Sequence, residues 1–242
     1  MTRTASALGL VIIPAYNEAE ALPAVLAELA EQVPGLDVVV IDDGSSDATA
    51  QCARAAGAVV LRLPFNLGIG GALRLGFRYA VAQGYGRAVQ FDADGQHDAS
   101  QIAKLFGQLD QGVGMAVGSR FADHTDYVVG RTRQGAMGML RLGVRLLSGQ
   151  RFSDTSSGFR AFDRPVLEFF ASTYPLDYMD SVEALILACR AGFTVAEVPT
   201  RMRTRAAGTP SNRSLRLLYH YVRLLVVMAS SASLRSRLPR PT

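Results

Sequence analysis

Asp92 and Asp94 flank Ala93 immediately after the apolar run at 87–91. Alternation along an extended segment puts both carboxylates on one side. Two carboxylates held close repel each other unless a cation sits between them. Hard oxygen donors with few others nearby suit Mg2+ or Mn2+, an ion that keeps waters and is completed by substrate phosphates. Gln96, one more alternation along, offers a side-chain oxygen to the same ion. Two further polar clusters end apolar runs: Pro14-Ala15-Tyr16-Asn17-Glu18 and Asp42-Asp43-Gly44-Ser45-Ser46-Asp47. A glycine turn, Asn66-Leu67-Gly68-Ile69-Gly70-Gly71, opens a helical pattern. Its spacing is not that of a dinucleotide-binding loop, and it follows the third strand rather than the first. It either lets backbone approach a diphosphate or sugar at a helix N-terminus or makes a tight turn with close helix packing.

The elements that must position these groups are legible in the apolar periodicity. Strands are expected at 8–14, 37–42, 58–63, 87–91, 114–119 and 194–199. Helices are expected at 19–32, 46–56 (capped by Ser45 or Ser46), 70–83, 100–110, 134–148, 179–191 and 213–229. Residues 121–133, 154–160 and 200–212 read as irregular. Continuous apolar strands separated by helices imply a mostly parallel, Rossmann-like sheet covered on both faces, an α/β domain. In such sheets ligands bind beyond the carboxyl ends of the strands. All three polar clusters fall at those ends.

Together the motifs carry a resemblance. Val11-Ile12-Ile13-Pro14-Ala15-Tyr16-Asn17-Glu18, Val40-Ile41-Asp42-Asp43-Gly44-Ser45-Ser46-Asp47, the turn from Asn66 to Ala72, and Phe91-Asp92-Ala93-Asp94-Gly95-Gln96-His97 are similar to the family 2 glycosyltransferases with the GT-A fold. Gly118-Ser119-Arg120-Phe121, the run from Asp154 to Arg160 and the run from Glu197 to Gly208 resemble the branch that contains dolichyl-phosphate mannose synthase and bacterial polyprenyl-phosphate glycosyltransferases. The resemblance spans roughly residues 8–212. It implies that Pro14, Ala15, Tyr16, Glu18, Asp43, Gly68, Asp92 and Ala93 face a UDP- or GDP-sugar, with Asp43 contacting the base. Asp92, Asp94 and Gln96 would hold the metal. Arg120, Arg131 or Arg133, Arg203 and Arg205 would bind the phosphate of a polyprenyl-phosphate acceptor, and Asp94, Arg120 and Arg205 would carry the chemistry. One departure stands out: where the branch places Ser-Lys two residues after the glycine matching Gly208, this chain has Pro210-Ser211, so Arg203 or Arg213 would stand in for the lysine.

The reaction so implied is in-line displacement at the anomeric carbon with inversion, the metal neutralising the departing nucleoside diphosphate. A phosphate acceptor is already ionised at neutral pH and needs no strong base. His124 and His220 lie in a loop and on the last helix; His97 either supports the carboxylates or merely starts a helix. Two other readings are open. A hydroxyl acceptor would need a base, Asp180 or Glu183, and a catalytically idle docking subunit would keep the fold alone.

Composition bounds the rest. The 242 residues are 49% hydrophobic and 19% charged, with a net charge of +4, and suit no nucleic-acid partner. Of 25 basic residues only Lys104 is lysine. Arginine suits phosphate ligands, although a GC-rich genome would give the same bias. Cys52 and Cys189 read as buried thiols, not a disulfide. No apolar run reaches the roughly 20 residues of a membrane span. The expectation is a cytoplasmic protein, peripheral at the inner membrane face. It divides into a catalytic domain, 1–212, and an amphipathic helix and tail, 213–242. That helix sets Arg213, Arg216, His220 and Arg223 on one side, and meets anionic lipid, a small membrane-protein partner or a second copy of the chain.

Overall fold

The computed structural model describes residues 9–121, 131–176 and 180–203, with the side chains of 131–137, 139, 140 and 180 left out. Seven strands form one sheet: β1 (Gly9–Ala15), β2 (Asp37–Asp42), β3 (Val59–Arg62), β4 (Arg87–Gln90), β5 (Met115–Ser119), β6 (Arg160–Asp163) and β7 (Val195–Pro199). Their spatial order is β3-β2-β1-β4-β6-β5-β7. β6 runs antiparallel to both β4 and β5; the other pairings are parallel. The start of β6 therefore lies at the same edge as the carboxyl ends of all the other strands.

Burial on both faces explains the unbroken apolar strands. One face carries α3 (Ile69–Ala82), α5 (Arg131–Ser148), α6 (Arg164–Thr173) and α7 (Asp180–Arg190), with Leu73, Phe77, Val144, Leu167, Phe170 and Leu185 against Leu10, Ile12, Ala88 and Val117. The other carries α1 (Leu22–Gln32), α2 (Thr49–Ala55) and α4 (Ile102–Leu109), with Leu22, Val25, Leu29, Ala53, Ile102 and Leu105 against Val11, Ile13, Val40 and Val89. In α1 the buried positions Leu22, Val25, Leu26 and Leu29 fall at helical spacing behind a proline in the first turn, where its missing N–H costs nothing.

The structure corrects the sequence reading at four places. β6 and α6 occupy a stretch for which no element was expected. In α6, Asp163 caps the first turn by accepting from the Val166 amide at 3.0 Å, and a proline follows. α2 begins at Thr49 rather than 46, because Ser45, Ser46 and Asp47 spend their hydrogen bonds on the neighbouring loop. The helix expected from 100 opens with a 3-10 turn, Ala99–Gln101, capped by Asp98. Finally, Asp92 and Asp94 are not on an extended strand. β4 stops at Gln90, and the chain turns through Gly95 at φ 74°, so alternation does not govern where the two carboxylates point. The expected helix at 213–229 lies outside the described residues. Both cysteines are free thiols. No helix among the described residues is long and apolar enough to cross a membrane.

Candidate active site

The loops after β1, β2 and β3 are laced together. The Asn17 amide donates to Ser45 Oγ at 3.0 Å and the Ser46 amide to Asn17 Oδ1 at 2.9 Å. The Glu18 amide donates to Thr49 Oγ1 at 2.9 Å, and the Ala19 amide to Asp47 Oδ2 at 3.1 Å. Asn17 takes a left-handed φ of 55°, a conformation that asparagine tolerates better than most residues. Asp42 is fully buried. Its Oδ1 accepts from the Ser45 amide at 2.9 Å and its Oδ2 lies 3.2 Å from Arg62 Nε.

Asp43, expected at the nucleotide base, is buried, and both its oxygens are engaged. Oδ1 accepts from the Leu67 amide at 2.7 Å and Oδ2 from the Gly68 amide at 2.9 Å. Burial pushes its carboxyl above the usual carboxylate range; the two amides oppose this, and the Asp42 charge adds to it. Asp43 thus clamps the glycine turn to β2. The glycines also serve packing: a Cβ at Gly70 would run into the Pro175 carbonyl oxygen. Gly68 is the exception. It caps α3 at φ 84°, and a Cβ there would approach only the Leu176 carbonyl oxygen, at 3.9 Å. Pro14 and Ala15 end β1, Tyr16 is half exposed at the rim, and Ala93 packs in the apolar cluster with Ala15 and Val25.

Asp92 and Asp94 follow β4, between the β1 loop and the loop that leads into β6. Asp94 Oδ1 accepts from the Gln96 amide at 3.1 Å, an Asx turn that fixes this carboxylate to its own loop. Asp92 Oδ1 is buried with no hydrogen-bond partner. Among the described residues no group of three or more His, Cys, Asp or Glu side chains is assembled for a metal. An unsatisfied carboxylate oxygen on a loop with a second carboxylate fits a hard dication that takes its remaining ligands from water and substrate. His97 is buried beside them, its Nδ1 accepting the Asp92 amide at 3.2 Å.

On the far side of β4 the site is ionic. Arg120, just past β5, meets Asp154 through two parallel bonds, Nε to Oδ2 at 2.6 Å and Nη2 to Oδ1 at 2.8 Å, and Nη2 also reaches Ser156 Oγ at 2.9 Å. Asp154 is fully buried. Burial raises its carboxyl, but the Arg120 guanidinium and the amides of Arg120 and Ser156 outweigh this and hold it below the usual range. Glu197 on β7 anchors the same loop, accepting from the Ser153 and Asp154 amides at 2.8 Å each. Arg203 is paired with Glu28 at 2.6 Å and Asp98 at 3.4 Å, which ties the chain after β7 to α1 and the 3-10 turn. Arg131 and Arg133 fall in the first turn of α5. Their side chains, Arg205 and Arg213 lie outside the described residues.

Sequence reasoning did not single out Asp154, Arg160 or Glu197 for a role. The signal for Glu197 was a lone acid inside an apolar strand, and that for Asp154 a Ser/Thr-rich turn.

Comparison with known proteins bears on the family and the fold. Residues 10–170 match the sequence model described as Glycosyl transferase family 2. A polyprenol monophosphomannose synthase of Mycolicibacterium smegmatis is 32% identical over 214 residues, covering 82% of this chain and 78% of its own. An undecaprenyl-phosphate mannosyltransferase of Micrococcus luteus is 32% identical over 211 residues, covering 82% and 85%. A solved glucosyl-3-phosphoglycerate synthase from Mycobacterium tuberculosis in complex with uridine-diphosphate superposes with a TM-score of 0.70 at 24% identity, covering 93% of this chain and 79% of that one. A likeness of that identity speaks to the fold, which is GT-A. The chain belongs to glycosyl transferase family 2 and is a glycosyltransferase.

Proposed function

We propose that this enzyme moves a sugar from a nucleotide-sugar to a polyprenyl phosphate at the cytoplasmic membrane surface, with inversion and with the help of Mg2+ or Mn2+. The observation that carries the reading is the arrangement along one sheet edge. Along it follow in strand order the hydrogen-bonded loops after β1–β3, the Asp92–Asp94 turn after β4, and Arg120 paired with the buried Asp154. The relatives support the acceptor class, since two at 32% identity are named for transfer involving polyprenol or undecaprenyl phosphate.

In this reading Pro14, Ala15, Tyr16 and Glu18 line the nucleotide, and Asp43 fixes the turn bearing Gly68. Asp92 and Asp94, with Gln96 beside them, hold the ion, which when bound neutralises charge developing on the diphosphate. Arg120 offers its guanidinium to the acceptor phosphate, held flat by Asp154. Arg205, and Arg131 or Arg133, complete the anion site. Arg203, paired with Glu28 and Asp98 and donating its amide to the Gln96 carbonyl, holds the chain after β7 against the Gln96 loop. The segment 213–242 forms a separate docking unit for anionic lipid.

The experiment is a transfer assay that scans UDP- and GDP-sugars against polyprenyl phosphate and the matching polyprenol, with Mn2+ and with EDTA. Transfer to the phosphate alone, lost in EDTA, and co-sedimentation with anionic liposomes are expected. Equal use of the alcohol would refute the acceptor, and undiminished rates in EDTA would refute the metal.

A further inference from the structure

We propose that the run Gly158-Phe159-Arg160 is a positioning element that fixes the Asp92 carboxylate from the β6 side; this rests on reading Asp92 as metal-binding. Gly158 and Phe159 reach Asp92 by two different routes, and Arg160 shapes the turn that presents them. Gly158 does so by having no side chain. A Cβ at this position would lie 2.9 Å from Asp92 Oδ2, 3.1 Å from Oδ1 and 3.2 Å from Gln90 Nε2. The bare backbone is therefore the wall against which the carboxylate rests.

Phe159 acts through His97. Its ring stacks on the imidazole at 4.8 Å with 26° between the planes, and Phe91 closes the edges of both rings. The imidazole so trapped accepts the Asp92 amide at Nδ1, which leaves the proton of a neutral ring on Nε2. Nε2 lies 3.5 Å from Asp92 Oδ2. The ring thus bonds the backbone of Asp92 and faces its carboxylate, although Nε2 itself is buried without a hydrogen-bond partner.

Arg160 closes the arrangement beneath. It is fully buried and sits directly across the sheet from Gln90, with Asp92 two residues further along that chain. Its Nε donates to the Ser157 carbonyl at 2.8 Å, which shapes the turn holding Gly158. Its Nη1 and Nη2, both polar atoms of the Gln90 amide, and Asp92 Oδ1 are buried without hydrogen-bond partners. Buried polar groups are nearly always paired, and a buried guanidinium is costly without compensation. Nη1 and Nη2 make no hydrogen bond to Asp92, so Arg160 acts on it through the turn at Ser157 and Gly158. Carboxylates that bind a metal depend on outer partners of this kind for their orientation.

The test measures Mn2+ alone binding to the full chain, by loss of the free-ion electron paramagnetic resonance signal, alongside the melting temperature. Gly158 does not occupy the left-handed φ region, so alanine there acts through the contact and not through backbone strain. Gly158→Ala is expected to weaken Mn2+ binding by about 10- to 100-fold, the usual loss when such a partner is disturbed. Phe159→Leu should weaken it less, in the same direction. Gly107→Ala, whose added methyl meets nothing within 4 Å, should bind as the wild type does. A lower melting temperature with wild-type Mn2+ affinity in both Gly158→Ala and Phe159→Leu would reduce the run to packing and overturn the proposal. Should Gly158→Ala fail to fold, Phe159→Leu and Gln90→Met decide it: weakened binding supports the proposal, unchanged binding overturns it. If the wild-type chain takes up no Mn2+, the metal reading itself falls, and this inference falls with it.

Discussion

After β1, β2 and β3 the chain is tied down by backbone amides donating to short side chains: Asn17 and Ser45, Glu18 and Thr49, Ala19 and Asp47, Leu67 and Asp43. Between β5 and β6 it is tied by charge. Arg120 grips a fully buried Asp154, and Glu197 holds the loop that carries it. The first arrangement depends on many partners of modest strength, each worth about 1 kcal/mol. The second depends on a few, and breaking a buried ion pair by removing one partner costs about 3–5 kcal/mol. The two halves of the site should therefore fail differently: one by degrees, the other at a single residue and with acid.

The largest expected effect belongs to the boundary between the halves. Asp94→Asn should cut transfer by roughly 1000-fold, as loss of several kcal/mol of electrostatic stabilisation implies. Its melting temperature should stay near the wild-type value, because the carboxylate packs against no core. Transfer within tenfold of wild type would remove Asp94 from the chemistry.

Next is Asp154→Asn, which sharpens the contrast directly. Loss of about 3 kcal/mol of stability is expected in denaturant titrations, together with a raised acceptor KM at little-changed donor KM. In the unfolded chain this carboxyl titrates near pH 4 or about there. In the fold it is held lower. The native state thus gives up the proton more readily, and the pair contributes stability above the unfolded value that is lost as pH falls through the folded one. The wild type should lose stability below about pH 4 more steeply than Asp154→Asn. Parallel acid profiles would contradict the assignment.

The smallest effect tests the first half. Asp47→Ala removes a carboxylate that accepts from the Thr49 and Ala19 amides. It should cost about 1 kcal/mol and weaken nucleotide binding modestly, measured by calorimetry. A collapse in stability as large as that of Asp154→Asn would erase the distinction.

Much of the fold was readable because parallel strands buried on both faces are written as unbroken apolar runs, as in Leu10 to Ile13 and Val38 to Ile41. β6 was not readable, for the opposite reason. It has four residues and begins with an arginine, a residue type that seldom lies in a core. α6 was legible in principle, since Asp163, a proline and the spacing of Val166, Leu167 and Phe170 are a cap and an apolar stripe. In the site, the polar runs at strand ends identified the loops, and the resemblance supplied roles for their residues. Side-chain partners joining distant segments, such as Asp154 with Arg120 and Phe159 with His97, leave no local periodicity. Only the antiparallel placement of β6 makes them neighbours.

The chain leaves the sheet after Ser119 and is back at the same edge by Ser153. At this stem Ser119 Oγ meets Ser153 Oγ at 2.7 Å, and the Arg120–Asp154 pair locks the next step. What lies between those ends is not insulated from the scaffold: Val144 of α5 and Phe152 are buried in the same apolar cluster as Val117 and Phe162. The stem fixes where the chain departs and returns, while the buried side chains fix how α5 lies, so any graft between the two serines has to carry Val144 and Phe152 with it.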